Sequence, residues 1–386
     1  MRILFISHSS PMKEGGAETR TREVAFRLAR SGHEVTLLCG KTNVDDPDLI
    51  EVNGVKIVSK KTLPDVLLKK YAYPHYISLA AANLFLMFHI QAFLRRERFD
   101  LIREDMAPFP PSFLLSLVRL PVPRRMVVVH MLSKSLSGWI RFYGVVFGFV
   151  GFLMDRLLRM GLLKYDRIVS DSKWTADELK EHSDVSNKVS FVPNGVNFNE
   201  FNSVGNRRSA NGHIRLLSVG RLVETKGQRY AIEALSRLRA QFPQASLDIL
   251  GNGPLKESLT DLAKDLSVAD RVNFLPPVSH ETMPELLSNY DFFVLPSLWE
   301  GLPVSIVEAM ASKLPIVTTD IPAITSILDS SSATLTKTEN AVDLAEKLQW
   351  AFEHPDEIRR QAERAYEIAS VYDWAATATQ EIEDLS

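Results

Sequence analysis

Short apolar runs alternate with amphipathic stretches along nearly the whole chain. Residues 2–8, Arg-Ile-Leu-Phe-Ile-Ser-His, read as a first strand, and residues 17–31 carry Val24, Leu28 and neighbours on one helical face. His33 to Cys39 is the next strand. A β-α-β opening of this kind argues a parallel, doubly wound sheet. Further strands are predicted at Val55–Val58, Leu101–Ile102, Met126–His130, Arg167–Ser170 and Lys188–Pro193, with helices between them. After a polar, aperiodic linker at 202–212 the alternation starts afresh. It predicts strands at 214–220, 246–250, 272–275, 291–295 and 315–319, and helices at 228–241, 255–266, 281–288 and 303–312. The expected fold class is α/β, two αβα sandwiches in tandem, with domains over 1–197 and 198–371 and a short amphipathic segment over 372–386. Ligands of such sheets bind beyond the carboxyl ends of the strands, so a cleft between the domains is the expected site.

Two segments break the rhythm. Residues 142–154 are an uncharged run of 13, too short to span a bilayer. Residues 77–94 are rich in Leu, Phe and Met, with Lys69 and Lys70 before them and Arg95, Arg96 and Arg98 after. Core packing explains either run. Docking of 69–98 and 141–159 on an anionic membrane surface, with basic residues at the headgroups, is the other reading.

Charge adds to this picture. The net value is −2, but residues 1–165 hold 24 Lys and Arg against 14 Asp and Glu, and the remainder 21 against 33. The basic N-terminal half is expected to face something anionic, membrane lipid or a phosphorylated acceptor. No nucleic-acid-binding signature is present, so nucleic acid is not an expected partner. The single Cys39 excludes a disulfide framework, which fits a reducing cytoplasm, and the short apolar start reads as a strand rather than a signal peptide.

Candidate chemistry gathers at predicted strand ends. Glu300-Gly-Leu-Pro-Val-Ser-Ile-Val-Glu308 reads as a turn opening a helix, with Gly301 and Pro303 suited to the turn and unpaired helix-end N–H groups suited to a phosphate. Gly15-Gly16-Ala17-Glu18 opens the first helix, but Gly-x-Gly-x-x-Gly is absent, which disfavours NAD. Gly220-Arg221 and Lys226-Gly227 follow the first strand of the second half, where two cations can neutralise a diphosphate. Gly251-Asn-Gly253-Pro254 is a strand-to-helix turn, Pro193-Asn194-Gly-Val-Asn197 a turn or hinge, and His130 closes an apolar strand. Each feature alone also fits an ordinary turn or a structural histidine.

In this order and spacing these motifs resemble the retaining family 4 glycosyltransferases of the GT-B fold, over nearly the whole chain. The Glu-x7-Glu stretch and the Arg-x4-Lys pair are the most specific. The resemblance implies that Arg221 and Lys226 hold the donor diphosphate, assisted by backbone at Gly15, Gly16, Gly220, Gly251, Gly253 and the Leu302-Pro303-Val304 turn. It implies Glu300 at the sugar hydroxyls, Glu308 at the ribose and His130 near the reacting carbon, with Asn194 and the loop from Leu275 to Val278 as weaker candidates, the loop for the base. Tyr372-Asp-Trp374 and the short amphipathic segment after it resemble a terminal helix that crosses back to the first domain.

The implied reaction moves a hexose-type sugar from a nucleoside diphosphate, UDP- or GDP-linked, to a hydroxyl of a glycan or glycolipid acceptor, with no metal or other cofactor. Asp46-Pro-Asp48 matches Asp-x-Asp formally but sits in an early polar loop. Pro276-Pro277 and Ile321-Pro322-Ala323 depart from the family pattern and leave the donor open. A nucleotide-sugar epimerase, a non-catalytic nucleotide-sugar binder and a phosphorylase share the architecture. The expected location is cytoplasmic, with peripheral attachment to the inner face of the membrane as the extension of the charge asymmetry.

Overall fold

A computed structural model describes residues 1–7, 10–12, 16–41, 47–60, 89–106, 122–130, 149, 161–181, 184–203 and 212–385. The chain forms two compact units, Met1–Asn194 with Trp374–Ser386, and Gly195–Asp373.

Among the described residues, unit 1 is built on an eight-stranded sheet. Its strands are β1 (Arg2–Ser7), β2 (Glu34–Gly40), β3 (Leu49–Val52), β4 (Val55–Lys60), β5 (Leu101–Met106), β6 (Arg124–Val129), β7 (Arg167–Ser170) and β8 (Val189–Phe191). Helix α1 (Gly16–Arg30) links β1 to β2, and α2 (Lys173–Lys180) lies between β7 and β8. The strand order is β3-β4-β2-β1-β5-β6-β7-β8, all parallel except the β3–β4 pair. Alternate residues of β1 feed the two faces. Ile3 and Phe5 pack with Val24 and Leu28 of α1, and Leu4 and Ile6 pack with Ile90, Leu94 and Phe99. Ile90 and Leu94, at the end of the apolar 77–94 segment, are therefore core residues; residues 77–88 and most of 142–154 lie outside the described residues. No described helix is long and apolar enough to cross a membrane.

Unit 2 repeats the plan with six parallel strands. These are β9 (Ile214–Val219), β10 (Ala245–Leu250), β11 (Val272–Leu275), β12 (Phe292–Leu295), β13 (Ile316–Thr319) and β14 (Thr334–Thr336), in the order β11-β10-β9-β12-β13-β14. The helices are α3 (Phe198–Ser203), α4 (Gln228–Leu238), α5 (Lys256–Asp265), α6 (Met283–Leu287), α7 (Val304–Ala311), α8 (Pro322–Thr325), α9 (Ala341–Glu353) and α10 (Pro355–Ala369). Phe293 and Leu295 face α7 and α10 through Ile306, Met310 and Ala365. Phe292 and Val294 face the other layer, α4 and α9, through Ile232, Leu235 and Leu344. Strands buried on both faces read as continuous apolar runs, which is why they stand out in the sequence.

Three elements differ from the sequence reading. The strand expected at Leu101–Ile102 continues to Met106 through Arg103-Glu104-Asp105, all buried and all charged. Their charges are paired: Arg103 Nη1 lies 2.6 Å from Asp105 Oδ1, and Glu104 accepts from Arg125 Nη2 at 3.0 Å and from the Tyr165 hydroxyl at 2.5 Å. Second, β3 precedes β4 in an antiparallel hairpin turned at Asn53-Gly54, both at positive φ; Asn-Gly supplies that backbone at little cost. Third, α9 and α10 extend the second half beyond β13, with Asn340 capping α9 through its side-chain oxygen.

The last helix, α11 (Trp374–Ile382), belongs to unit 1. Ala378 and Ile382 join the core of β1 and α1, and Glu381 is fully buried between Arg20 and Arg103, 2.5 Å and 2.9 Å away. Breaking such a buried pair costs about 3–5 kcal/mol. A chain ending at Asp373 is expected to lose hydrogen-exchange protection at β1 and β5 while the amides of β9 and β12 keep theirs. Equal protection in the truncated and full chains would show that α11 contributes nothing to unit 1.

Candidate functional site

The strand order of unit 2 reverses between β9 and β12, and open α/β sheets bind ligands at the carboxyl end of such a switch point. The loop after β9 is held by backbone hydrogen bonds to its neighbours. Leu222 N–H donates to the Asn252 carbonyl at 3.0 Å, Leu255 N–H to the Leu222 carbonyl at 3.1 Å, and Leu298 N–H to the Thr225 carbonyl at 2.8 Å. Gly251 N–H donates to the carbonyl of Leu275, the last residue of β11, at 3.1 Å. Two glycines make this close approach possible. Gly227 has φ +64° and a Cβ there would fall on the Pro296 carbonyl; Gly251 has φ +149° and a Cβ would fall on that of Gly220. At Gly253 the obstacle would be the Leu222 carbonyl. Loop meets loop at these positions, so the glycines build the site's floor.

On that floor Lys226 and Glu300 meet. The Lys226 ammonium donates to both carboxylate oxygens of Glu300, at 2.6 Å and 2.7 Å. Ser297 Oγ, itself buried, donates to Oε1 at 2.7 Å and fixes the carboxylate. A Cβ at Gly220 would touch the Lys226 stem at 3.5 Å, so that glycine faces the lysine chain. Arg221 differs: its side chain is exposed, while its carbonyl accepts from Gln228 Nε2 at 2.9 Å. A bidentate cation is thus free to approach an anion while its backbone is anchored.

Gly301 is half-buried, and Leu302 and Pro303 are buried ahead of α7, which starts at Val304. No side chain caps that helix; the Ile306 amide turns back onto the Pro303 carbonyl at 3.0 Å, and the Val304 and Ser305 amides ahead of it suit water or an anion. Glu308, buried on α7, lies 3.1 Å from Nδ1 of His280, a half-exposed residue of the turn before α6.

In unit 1, His130 stands just past the end of β6. Nδ1 lies 2.8 Å from Asp171 Oδ2, and Nε2 lies 3.7 Å from Asp105 Oδ1. Burial pulls the imidazole pKa down, but the charge of Asp171, the hydrogen bond from Nδ1 to it and the nearby carboxylate of Asp105 outweigh it and raise it to about 9. The two carboxylates thus favour the imidazolium form of His130. Asp105 is held well below the usual carboxylate range: burial alone would raise it, but Arg103 above all and then His130 and Thr21 prevail. Asn194 is also buried here, with its oxygen 2.9 Å from Arg20 Nη1 and its Nδ2 3.3 Å from Asp171 Oδ2. Gly16 is the exposed first residue of α1 with open space around it. Gly15 and Asp46 lie outside the described residues.

The sequence reading therefore named Lys226, Glu300 and Glu308 and omitted their partners Ser297 and His280, which stand on loops without a motif. It named His130 and omitted Asp105 and Asp171. The same logic that selected His130, a polar residue at the carboxyl end of an apolar strand, applies to Asp171 after β7.

The family model described as Glycosyltransferase Family 4 matches residues 14–200, and the one described as Glycosyl transferases group 1 matches residues 203–368. The chain is 26% identical over 396 residues to glycogen synthase of Mycobacterium tuberculosis, covering 98% of this chain and 93% of that one. It is 25% identical over 348 residues to an uncharacterized glycosyltransferase of Methanocaldococcus jannaschii, covering 85% and 83%. Among solved structures, sucrose-phosphate synthase from Thermosynechococcus elongatus aligns with a TM-score of 0.82 at 19% identity over 99% of this chain and 97% of that one. Anabaena HepE in complex with UDP and glucose aligns with a TM-score of 0.73 at 17% identity over 100% and 99%.

Gly251→Ala should lower stability by at least about 2 kcal/mol, since a side chain is strained at that φ and meets a backbone oxygen; chemical denaturation measures it, and an unchanged midpoint would contradict the packing. The imidazolium of His130 is favoured by folding, so its contribution is complete below its ordinary pKa of 6.5 and is lost as pH rises through about 9. Stability measured from pH 6 to 10 should fall across that window, and His130→Gln should remove that part of the slope.

Proposed function

Because the chain belongs to the group 1 glycosyltransferases, with the two Rossmann-like αβα units of the GT-B fold, we propose that it moves a hexose-type sugar from a nucleoside diphosphate to an acceptor hydroxyl with retention of configuration. The observation that carries the donor side of this reading is the β9–β12 switch point. Lys226, exposed Arg221 and the uncapped start of α7 bring positive charge to the carboxyl edge of one sheet. A diphosphate is the chemistry that suits two cations beside a helix N-terminus. Glu300, anchored by Lys226 and Ser297, offers its remaining acceptor capacity to sugar hydroxyls, and Glu308 to a ribose.

In the proposed step the bond from the anomeric carbon to the diphosphate oxygen breaks and a bond to the acceptor oxygen forms on the same face. The acceptor proton passes to the leaving phosphate. Charge grows on the diphosphate as the bond breaks, and Arg221, Lys226 and the α7 amides stabilise it more in the transition state than in the ground state. His130, as an imidazolium, donates hydrogen bonds and is no base, which agrees with a leaving group that takes the proton itself. Its place at the donor sugar follows from the family resemblance. No metal is assigned a part in this scheme.

UDP- and GDP-sugars are the proposed donors. A lipid-linked or polysaccharide-precursor glycan is the proposed acceptor, met at the inner face of the cytoplasmic membrane by the basic N-terminal half. Flotation with vesicles containing anionic lipid tests that attachment, and equal failure with anionic and neutral vesicles removes it.

Arg221→Ala and Lys226→Ala should each lower kcat/KM by about 100-fold or more, the usual cost of one preorganised charge partner. Thermal shift against UDP-, GDP-, ADP- and dTDP-sugars identifies the donor, and product analysis with and without acceptor separates transfer from epimerisation. Unchanged turnover in both folded variants would sink the diphosphate assignment.

A further inference from the structure

Unit 1 contains a circuit of buried polar side chains that meets at half-buried His130, hydrogen-bonded on the Nδ1 side and closed on the Nε2 side only by a 3.7 Å charge contact to Asp105. Glu381 of α11 is its hub, because it touches both Arg20 of α1 and Arg103 of β5. From Glu381 one limb runs through Arg103, whose Nε lies 2.9 Å from Oε2, to Asp105 at 2.6 Å from Arg103 Nη1, and on to His130 Nε2 at 3.7 Å. The other limb runs through Arg20, whose Nε lies 2.8 Å from Oε1, to the Asn194 oxygen at 2.9 Å, then from Asn194 Nδ2 to Asp171 at 3.3 Å, and on to His130 Nδ1 at 2.8 Å. Both limbs leave one carboxylate and end on the two nitrogens of one imidazole.

We propose that Glu381, on the last helix of the chain, is a positioning residue for His130, fixing the orientation and the charge of the imidazole through these two limbs. This rests on the reading of His130 as a ligand of the donor sugar.

The physical case is one of charge balance in a medium that screens poorly. Arg20 is fully buried, Arg103 1% exposed, Glu381 fully buried and Asp105 4% exposed. Three cations, Arg20, Arg103 and protonated His130, face three anions, Glu381, Asp105 and Asp171. Thr21 of α1 completes the set by donating to Asp105 Oδ2. Buried Arg167 of β7 lies beside the ring but donates to the Gln380 carbonyl of α11, at 2.7 Å. The ring is neutral only with His130 protonated and Glu381 ionised. Loss of the Glu381 charge leaves one net positive charge and disfavours the imidazolium; loss of an arginine leaves one net negative charge and favours it. The limbs also set geometry. Arg103 and Asp105 stand two residues apart on one face of β5, with the Arg103 guanidinium 4.7 Å over the Phe5 ring, so neither is free to turn. A catalytic imidazole therefore answers to a residue 251 positions along the chain.

The test follows the His130 ring itself. Its resonance, identified by its loss in His130→Asn, is titrated by NMR in the full-length protein, in Glu381→Gln and in Arg20→Gln, beside the pH profile of kcat/KM. Glu381→Gln should move the midpoint toward the ordinary imidazole value, by about tenfold in proton concentration for one unbalanced buried charge. Arg20→Gln should move it the other way. The alkaline limb of kcat/KM should shift with the ring in each variant, a response that a purely structural glutamate would not produce. Should Glu381→Gln fail to fold, the opposite shift in Arg20→Gln decides. An unmoved midpoint in whichever variants fold overturns the proposal. A ring that shifts while the rate profile stays put would support the coupling and sink instead the role of His130 at the donor sugar.

Discussion

The carboxylate of Glu381, held without solvent between Arg20 and Arg103, is the constraint on which unit 1 depends. Removing ions from water is expensive, and the cost is recovered only where geometry and hydrogen bonds are nearly complete. Here each arginine has a further anchor, Asn194 for Arg20 and Asp105 for Arg103. The apolar contacts of Ala378 and Ile382 hold α11 on the unit without specifying its register. The single carboxylate does specify it, because shifting the helix by one residue would swing Glu381 away from both guanidinium groups. The unit is completed by a segment from the opposite end of the chain, and its polar centre exists only once that segment is home.

Unit 2 solves a similar problem with backbone. Its strand order places the tips of β9 and β12 at the switch point, and the loops there touch main chain to main chain at Gly227, Gly251 and Gly253. Close packing of that kind leaves little freedom for the side chains it carries. The ammonium of Lys226 is steered onto Glu300, whose carboxylate is fixed in turn by Ser297. Glycosyl transfer from a diphosphate needs charge that is already in place when the bond breaks, since reorganising dipoles during the reaction would raise the barrier. A rigid floor with one held cation and one exposed cation suits that demand.

The sequence made much of this legible. Strands buried on both faces stand out as unbroken apolar runs, and the Arg-x4-Lys and Glu-x7-Glu motifs mark two strand ends that the fold brings together at the switch point. It was least legible where charge is buried. Arg103-Glu104-Asp105 reads as the end of a strand because three charges in a row belong in water, yet each also meets a group distant in sequence, Glu381 for Arg103, Arg125 for Glu104 and Thr21 for Asp105. The Asn53-Gly54 hairpin carried a recognisable signal that the strand reading passed over. His280 and Ser297 carried none, as their meaning lies wholly in the neighbours Glu308 and Glu300.

By itself the sequence determined the alternation of strand and helix, the division into two parallel-sheet units and the residues offered at strand ends, because hydrophobic periodicity and glycine placement are local properties. Only the tertiary structure decided which charges those residues meet. An ion pair depends on distance and on the exclusion of water, and neither is written in sequence separation. Thus Lys226 and Glu300, 74 positions apart, share two hydrogen bonds, and His130 meets Asp171 and Asp105 from the ends of two other strands.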